Sequence, residues 1–130
     1  MHIKIKLSLL SAFTLLASGP AFAHHSNSMF DRNKTVTLQG TVRDYQWTNP
    51  HIWIEMDVPS AKGATHYSIE GPSPSILRKK GWKFNSLKPG DKAIVVMHPL
   101  RSGQNGGGVM QVKANGQVLN YEGQGAGSIY

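Results

Sequence analysis

The sequence has no cysteine, and only 7 acidic residues stand against 14 lysines and arginines in its 130 positions. Without a thiol it can build no disulfide framework, no thiolate metal site, no cysteine nucleophile and no lipidated N-terminal cysteine. Stability must come from packing. Long apolar runs are also missing: the longest, Leu7 to Ala17, is well short of the ~20 residues that span a hydrocarbon core. The scarcity of acids leaves a formal net charge of +7, and a hydrophobic share of 39% with periodic Val, Ile and Leu fits one small folded domain with no room for a second core.

What is present begins with an address. Lys4 and Lys6 precede the Leu7 to Ala17 run, and Gly19-Pro20-Ala21-Phe22-Ala23 places alanine at the −3 and −1 positions. Residues 1–23 therefore read as a secretory signal peptide. Cleavage between Ala23 and His24 would deliver a periplasmic or secreted chain beginning His24-His25-Ser26, and loss of Lys4 and Lys6 would take the net charge from +7 to +5. Nucleic acid is scarce there, so the charge is read as serving solubility or attraction to anionic envelope surfaces rather than as a nucleic-acid footprint. No segment of the mature chain is long and apolar enough for a transmembrane helix, and a monomer or weak oligomer is expected.

Residues 24–33 form an N-terminal segment, 34–121 the domain and 122–130 a flexible tail poor in apolar residues. Between Lys34 and Tyr45 the residues Val36, Leu38 and Val42 alternate with polar ones, the period of a half-buried strand. Gly40 falls on the apolar phase, where a missing side chain suits a sharp bend. After the Asn49-Pro50 turn, His51 to Val58 form a second strand with Ile52, Ile54, Met56 and Val58 on one face and His51, Trp53, Glu55 and Asp57 on the other. Pro59 to Gly63 read as a hairpin loop into a third strand, Ala64 to Glu70, which leaves His66, Ser68 and Glu70 opposite Tyr67 and Ile69.

Ser73-Pro74 supplies an N-cap and a first helical proline for a two-turn helix ending at Gly81. Lys92 to His98 form a fourth strand, the glycine-rich stretch Ser102 to Gly108 reads as a flexible loop, and Val109 to Lys113 form a fifth strand. Asn115-Gly116 turns the chain into a short sixth segment at Val118-Leu119. Three strands, a helix and two strands are the order of an OB-type domain, an all-β five-stranded Greek-key barrel with its helix between strands three and four. A small β-sandwich is the alternative.

An OB-type barrel binds through the outer face of strands two and three and the flanking loops. That strip carries His51, Trp53, Glu55, His66, Ser68 and Glu70, with Trp47 and Asn49 in the loop before it. A four-residue hairpin at Pro59 to Lys62 would set Glu55 opposite His66 and Trp53 opposite Ser68, with Glu70 diagonal to His51. Polar exposed faces are ordinary in antiparallel sheets, but a tryptophan on the solvent phase needs either a cover or a ligand.

The mature terminus is the second constellation. A histidine at position one presents an α-amine and an imidazole that together chelate one ion, and His25 adds a second imidazole. Nitrogen donors in a tetragonal arrangement favour copper(II). A third ligand would come from the domain: His51, His66 and His98 are the candidates, with Ser26 to Thr35 long enough to return the terminus to any of them. Arg78-Lys79-Lys80, Trp82 and Lys83 suggest a basic, aromatic patch for an anionic ligand, although cations are also favourable at a helix C-terminus for the backbone dipole alone. The run Gly103 to Gly108 lacks the setting of a phosphate loop.

Six ordered motifs resemble a family of short, exported bacterial proteins of unassigned function. They are Ala23-His24-His25-Ser26, Leu38-Gln39-Gly40-Thr41-Val42, Trp47 to Trp53 with its Asn-Pro-His-x-Trp core, Glu70-Gly71, Leu77 to Trp82 and Ser86 to Asp91. The resemblance spans the mature chain to about Leu119, implies no catalytic residue, and is broken at Pro72, where a second glycine is usual in the family. The leading expectation is a non-enzymatic exported module binding a small ligand or a metal ion, with copper the candidate cofactor. His24, His25, His51 and His66 are its metal-ligand candidates, and Trp47, Asn49, Trp53 and Glu70 the ligand-binding ones. The alternatives are an accessory protein docking through the strip onto an envelope protein, and a small copper oxidase with a terminal histidine brace.

Overall fold

The computed structural model describes residues 29–122; residues 1–28, with the expected signal peptide and the His24-His25 pair, and residues 123–130 lie outside the described residues. Six strands and one helix follow in the order β1 (Val36–Gln46), β2 (Trp53–Ser60), β3 (Gly63–Glu70), α1 (Pro74–Arg78), β4 (Lys92–Pro99), β5 (Gly106–Ala114) and β6 (Gln117–Asn120). The strands hydrogen-bond in the order β3-β2-β1-β4-β5-β6, and a parallel β3–β5 pairing closes the first five into a barrel. This is the OB-type architecture expected from the order of elements, with the helix between β3 and β4.

β1 belongs to both walls of the cylinder. Its first half pairs with β4 and its second with β2, and Thr41 faces Lys92 on one side and Asp57 on the other. The strand bends here because Gly40 has no Cβ: a methyl group would collide with the Asp57 carbonyl. The alternation expected in β2 holds throughout, with Ile52, Ile54 and Met56 fully buried. They meet Val42, Ile69, Val95, Met97, Val109 and Val112 inside the barrel. In β4 the continuous apolar run divides by parity: Val95 is buried and Ile94 is 37% exposed.

Ser73 caps α1, its Oγ accepting from the Ile76 amide at 3.4 Å, and Pro74 opens the helix. The helix ends at Arg78, with Lys79 as its C-cap, earlier than the expected two turns to Gly81. Leu77, Trp82 and Leu87 from α1 and the segment after it enter the core, and Trp82 Nε1 donates to Asn120 O at 3.0 Å. Asn115 and Gly116, both at positive φ, form the two-residue turn into β6.

Two further expectations are corrected. The β2–β3 hairpin turns on Ala61 and Lys62, with Ser60 paired to Gly63, so Pro59 and Ser60 belong to the strand. Gly63 has φ +103, a left-handed backbone that allows this tighter closure. The register moves by two residues, which preserves every face but changes every partner: Asp57 lies opposite His66, Glu55 opposite Ser68 and Trp53 opposite Glu70. Secondly, Gly106, Gly107 and Gly108 are strand, not flexible loop. They sit where β5 runs between β3 and β4, and a methyl group on Gly106 or Gly107 would strike the Ser68 or His98 carbonyl. The glycines are what let three backbones close the barrel.

Candidate functional site

The β2–β3 hairpin brings Glu70 to His51, and barrel closure brings Glu70 to the start of the described chain. Glu70 ends β3, where it faces Trp53 on β2 and Gly108 on β5. Phe30 lies over Gly108 and bridges to Leu100, and backbone bonds tie Asp31 to Pro99 and Arg101 to Met29 at 2.8 Å each. The carboxylate is consequently only 6% exposed although it stands on the outer face of the sheet. A buried carboxylate requires a partner, and His51 provides one, with Nδ1 3.2 Å from Glu70 Oε1.

The same nitrogen is 3.1 Å from Gly71 O. A carbonyl only accepts, so Nδ1 carries the proton, and in the neutral ring the lone pair is on Nε2. The loop keeps this geometry because Ile52 N donates to Pro72 O, Gly71 N donates to Ile52 O and Thr48 Oγ1 donates to His51 O. Gly71 packs so closely that an added methyl would press into Ile52 and Val109. Pro72 is accommodated without loss of these contacts.

Two clefts meet at Glu70 and Phe30. The larger, about 630 Å³, lies between Trp53, Ser68, Met29, Leu100 and the β4–β5 loop residues Gly103, Gln104 and Asn105. The tryptophan expected on the solvent phase is half-buried and shares a cleft with Met29 and Phe30 of the N-terminal segment. The second, about 470 Å³, is lined by His51, Pro50, Pro72, Ile76, Arg32, His98, Tyr121 and Glu122. Both volumes suit a small ligand.

His98 and Glu122 make a second histidine–carboxylate pair. His98 Nδ1 is 2.8 Å from Lys34 O and Nε2 is 3.0 Å from Glu122 Oε2. Arg32 Nη1 approaches the other Glu122 oxygen at 3.5 Å. Both ring nitrogens of His98 therefore face acceptors, which ties the N-terminal segment and the end of the domain to β4. Sequence reasoning placed Glu122 at the start of a tail and missed Phe30, Arg32 and Tyr121, because nothing in their local pattern signals contacts across the barrel.

The remaining candidates are distributed elsewhere. His66 Nε2 lies 2.8 Å from Glu55 Oε2 and its Nδ1 3.6 Å from Asp57 Oδ1, in a surface network that includes Ser68 Oγ donating to Glu55 at 2.9 Å. Arg43 binds Asp57 with two bonds, of 2.7 and 3.0 Å, which hold that carboxyl below its ordinary range. His66 is four residues from Glu70, or about 13 Å along the strand, so the fold does not bring it to His51. Trp47 packs toward the core beside Tyr45, with the Arg78 guanidinium 5.8 Å from its ring centroid and its Nε1 buried with no hydrogen-bond partner among the described residues. Asn49 is exposed in the turn, joined to Pro50 by a cis peptide bond.

Among the described residues no three His, Asp or Glu side chains gather to hold a metal ion, and no helix is long and apolar enough to cross a membrane. The His24-His25 pair lies outside them. A family model described as a family of unknown function (DUF6152) matches residues 13–110. No curated protein and no solved structure matches the chain.

Proposed function

We propose that this chain, which belongs to the family of unknown function DUF6152, is an exported binding module that takes a copper(II) ion beside Glu70. His24 supplies its amine and imidazole, His25 a further nitrogen, and His51 its Nε2. The observation that carries the reading is the setting of His51, whose Nδ1 proton is directed at both a buried carboxylate and a backbone carbonyl. Such second partners fix the tautomer of metal-ligating histidines and raise the basicity of the other nitrogen. Geometry permits the terminus to return: Met29 lines the same cleft as Trp53 and Glu70, and His24 is five residues upstream, within about 17 Å of extended chain. His66 has no part in this site, since two carboxylates engage it.

The test is copper(II) titration of processed protein whose first residue has been read by mass spectrometry. The native start binds at least tenfold more tightly than a start carrying one additional residue, and His51→Ala also weakens binding. Equal affinity of all three proteins would remove the proposal. A second reading rests on the aromatic surface of Trp53 in the larger cleft: a small organic ligand stacks there. In that case Trp53→Ala abolishes ligand binding and the start residue has no influence.

A further inference from the structure

The segment after α1 has two sides of opposite character. Leu77, Trp82 and Leu87 point into the core, while Arg78, Lys79, Lys80, Lys83 and Lys88 are all exposed. No acidic residue occurs between Glu70 and Asp91. Sequence reasoning proposed Trp82 as the aromatic member of this patch, but Trp82 is 1% exposed and it is Phe84 that stands in solvent, 71% exposed. The segment is held at both ends against β6, by Trp82 Nε1 on Asn120 O and by the Gln117 amide on Ser86 O at 3.3 Å. Phe84 is therefore presented between two fixed points.

The charges of the segment are not neutralised by ion pairs among the described residues. Arg78 and Lys80 lie over the rings of Trp47 and Tyr121, and among the described residues none of the five pairs with a carboxylate. Of the seven acidic residues only Asp91 adjoins the segment, its Oδ2 accepting from Lys88 N at 2.9 Å; most of the others are in the His51, His66 and Glu122 networks. Like-signed charges gathered along one exposed segment repel one another, and an anionic surface beside the segment offsets that repulsion while offering Phe84 apolar burial.

We infer that the Arg78 to Lys88 segment is a docking surface for an anionic phospholipid bilayer, with the cations at the headgroup level and the Phe84 ring inserted at the acyl boundary. The combination of basic residues with one protruding aromatic ring is what interfacial binding needs: the charges supply long-range attraction and the ring supplies apolar burial. A patch for a small anion would require converging donors in a concavity, and none of these five side chains lines either of the two clefts at Glu70 or a third beside Gly40. The inference is independent of the copper proposal, because the patch shares no residue with the His51 site.

The test is vesicle co-sedimentation of the chain as purified from the cell, its first residue established by mass spectrometry and identical in every variant. Phosphatidylcholine vesicles containing roughly one third phosphatidylglycerol are expected to retain the protein, and pure phosphatidylcholine vesicles are not. About 0.5 M salt should release it, since screening is then short-ranged. Lys79→Glu combined with Lys83→Glu should lower binding more than tenfold, as each cation near such a surface contributes several-fold. Phe84→Ser should lower it about tenfold, and Phe84→Trp should restore it with a blue-shifted emission on the anionic vesicles. Unchanged thermal midpoints establish that the exposed substitutions leave the fold intact. Equal binding to neutral and anionic vesicles, or indifference to the double charge reversal, overturns the inference. So does binding to soluble poly-glutamate that matches the vesicles and ignores Phe84→Ser, which would assign the patch to an acidic macromolecule.

Discussion

His51 and Glu70 meet across the end of the β2–β3 ladder, with Nδ1 3.2 Å from a carboxylate oxygen that is almost wholly buried. Neither residue is near the other in sequence, and the contact holds the imidazole in one tautomer. If that tautomer serves a metal, Glu70→Gln should lower copper(II) affinity by about ten- to a hundredfold while preserving volume and fold. His51→Ala should lower it further. Isothermal titration of the two variants beside the parent checks the order; a Glu70→Gln protein with parental affinity would separate the pair from any metal role.

The glycines of β5 should be unequal. A methyl on Gly107 meets the Met97 sulfur at 2.8 Å and the His98 backbone carbonyl, and the carbonyl cannot yield without disturbing β4. Gly107→Ala should cost about 2–3 kcal/mol. Gly108→Ala meets only the Phe30 ring, at 3.1 Å, and that ring can move. It should cost about 1 kcal/mol or less, and loosen the N-terminal segment. Urea unfolding gives both values, and equal costs would contradict the assigned closure of the barrel.

Acid sensitivity should involve Asp57. Its carboxyl is held below the ordinary value of 3.8 chiefly by hydrogen bonds from Arg43, with His66 assisting. A depressed folded value means the contribution to stability is present above the unfolded value and is lost as pH falls below about 4 through the folded one. Asp57→Asn should therefore flatten the dependence of the unfolding midpoint on pH in that acid window and leave the slope near neutrality as it was. A variant as acid-sensitive as the parent would contradict the assignment.

Alkaline sensitivity should involve Tyr45. Burial raises its phenol well above the ordinary value of 10.0, and its hydroxyl donates to Lys83 O at 3.2 Å. A raised folded value reverses the sign: the contribution is complete below about pH 10 and is lost as pH rises from there, because the unfolded chain ionises first. Tyr45→Phe should show a shallower loss of stability above pH 10, followed by thermal melting across that range. An unchanged slope would mean that the phenol does not limit alkaline stability.

Much of the barrel is legible in local pattern. Ile52, Ile54 and Met56 announce the inward face of β2, Ser73-Pro74 the start of α1 and Asn115-Gly116 the last turn, since each depends on neighbours within a few residues. The glycine run was opaque for the opposite reason. A strand is recognised by its side chains, and Gly106 to Gly108 have none to show which face is buried. The aromatic of the basic segment is ambiguous in sequence because Trp82 and Phe84 share the same parity and charge context; in the fold the Trp82 indole joins the core and its Nε1 finds Asn120 O.

Alone, the amino-acid order determined which side chains face inward and which outward, because strand parity is a local property that a two-residue change of register leaves intact. It also determined the absence of thiols and the concentration of cations between Arg78 and Lys88. Tertiary structure decided who meets whom. His51 reaches Glu70 across the end of the β2–β3 ladder, His98 reaches Glu122 across β4, β5 and β6, and the parallel β3–β5 seam sets Glu70 beside Gly108, which Phe30 covers. That seam joins residues about forty positions apart, a separation at which no local periodicity carries information.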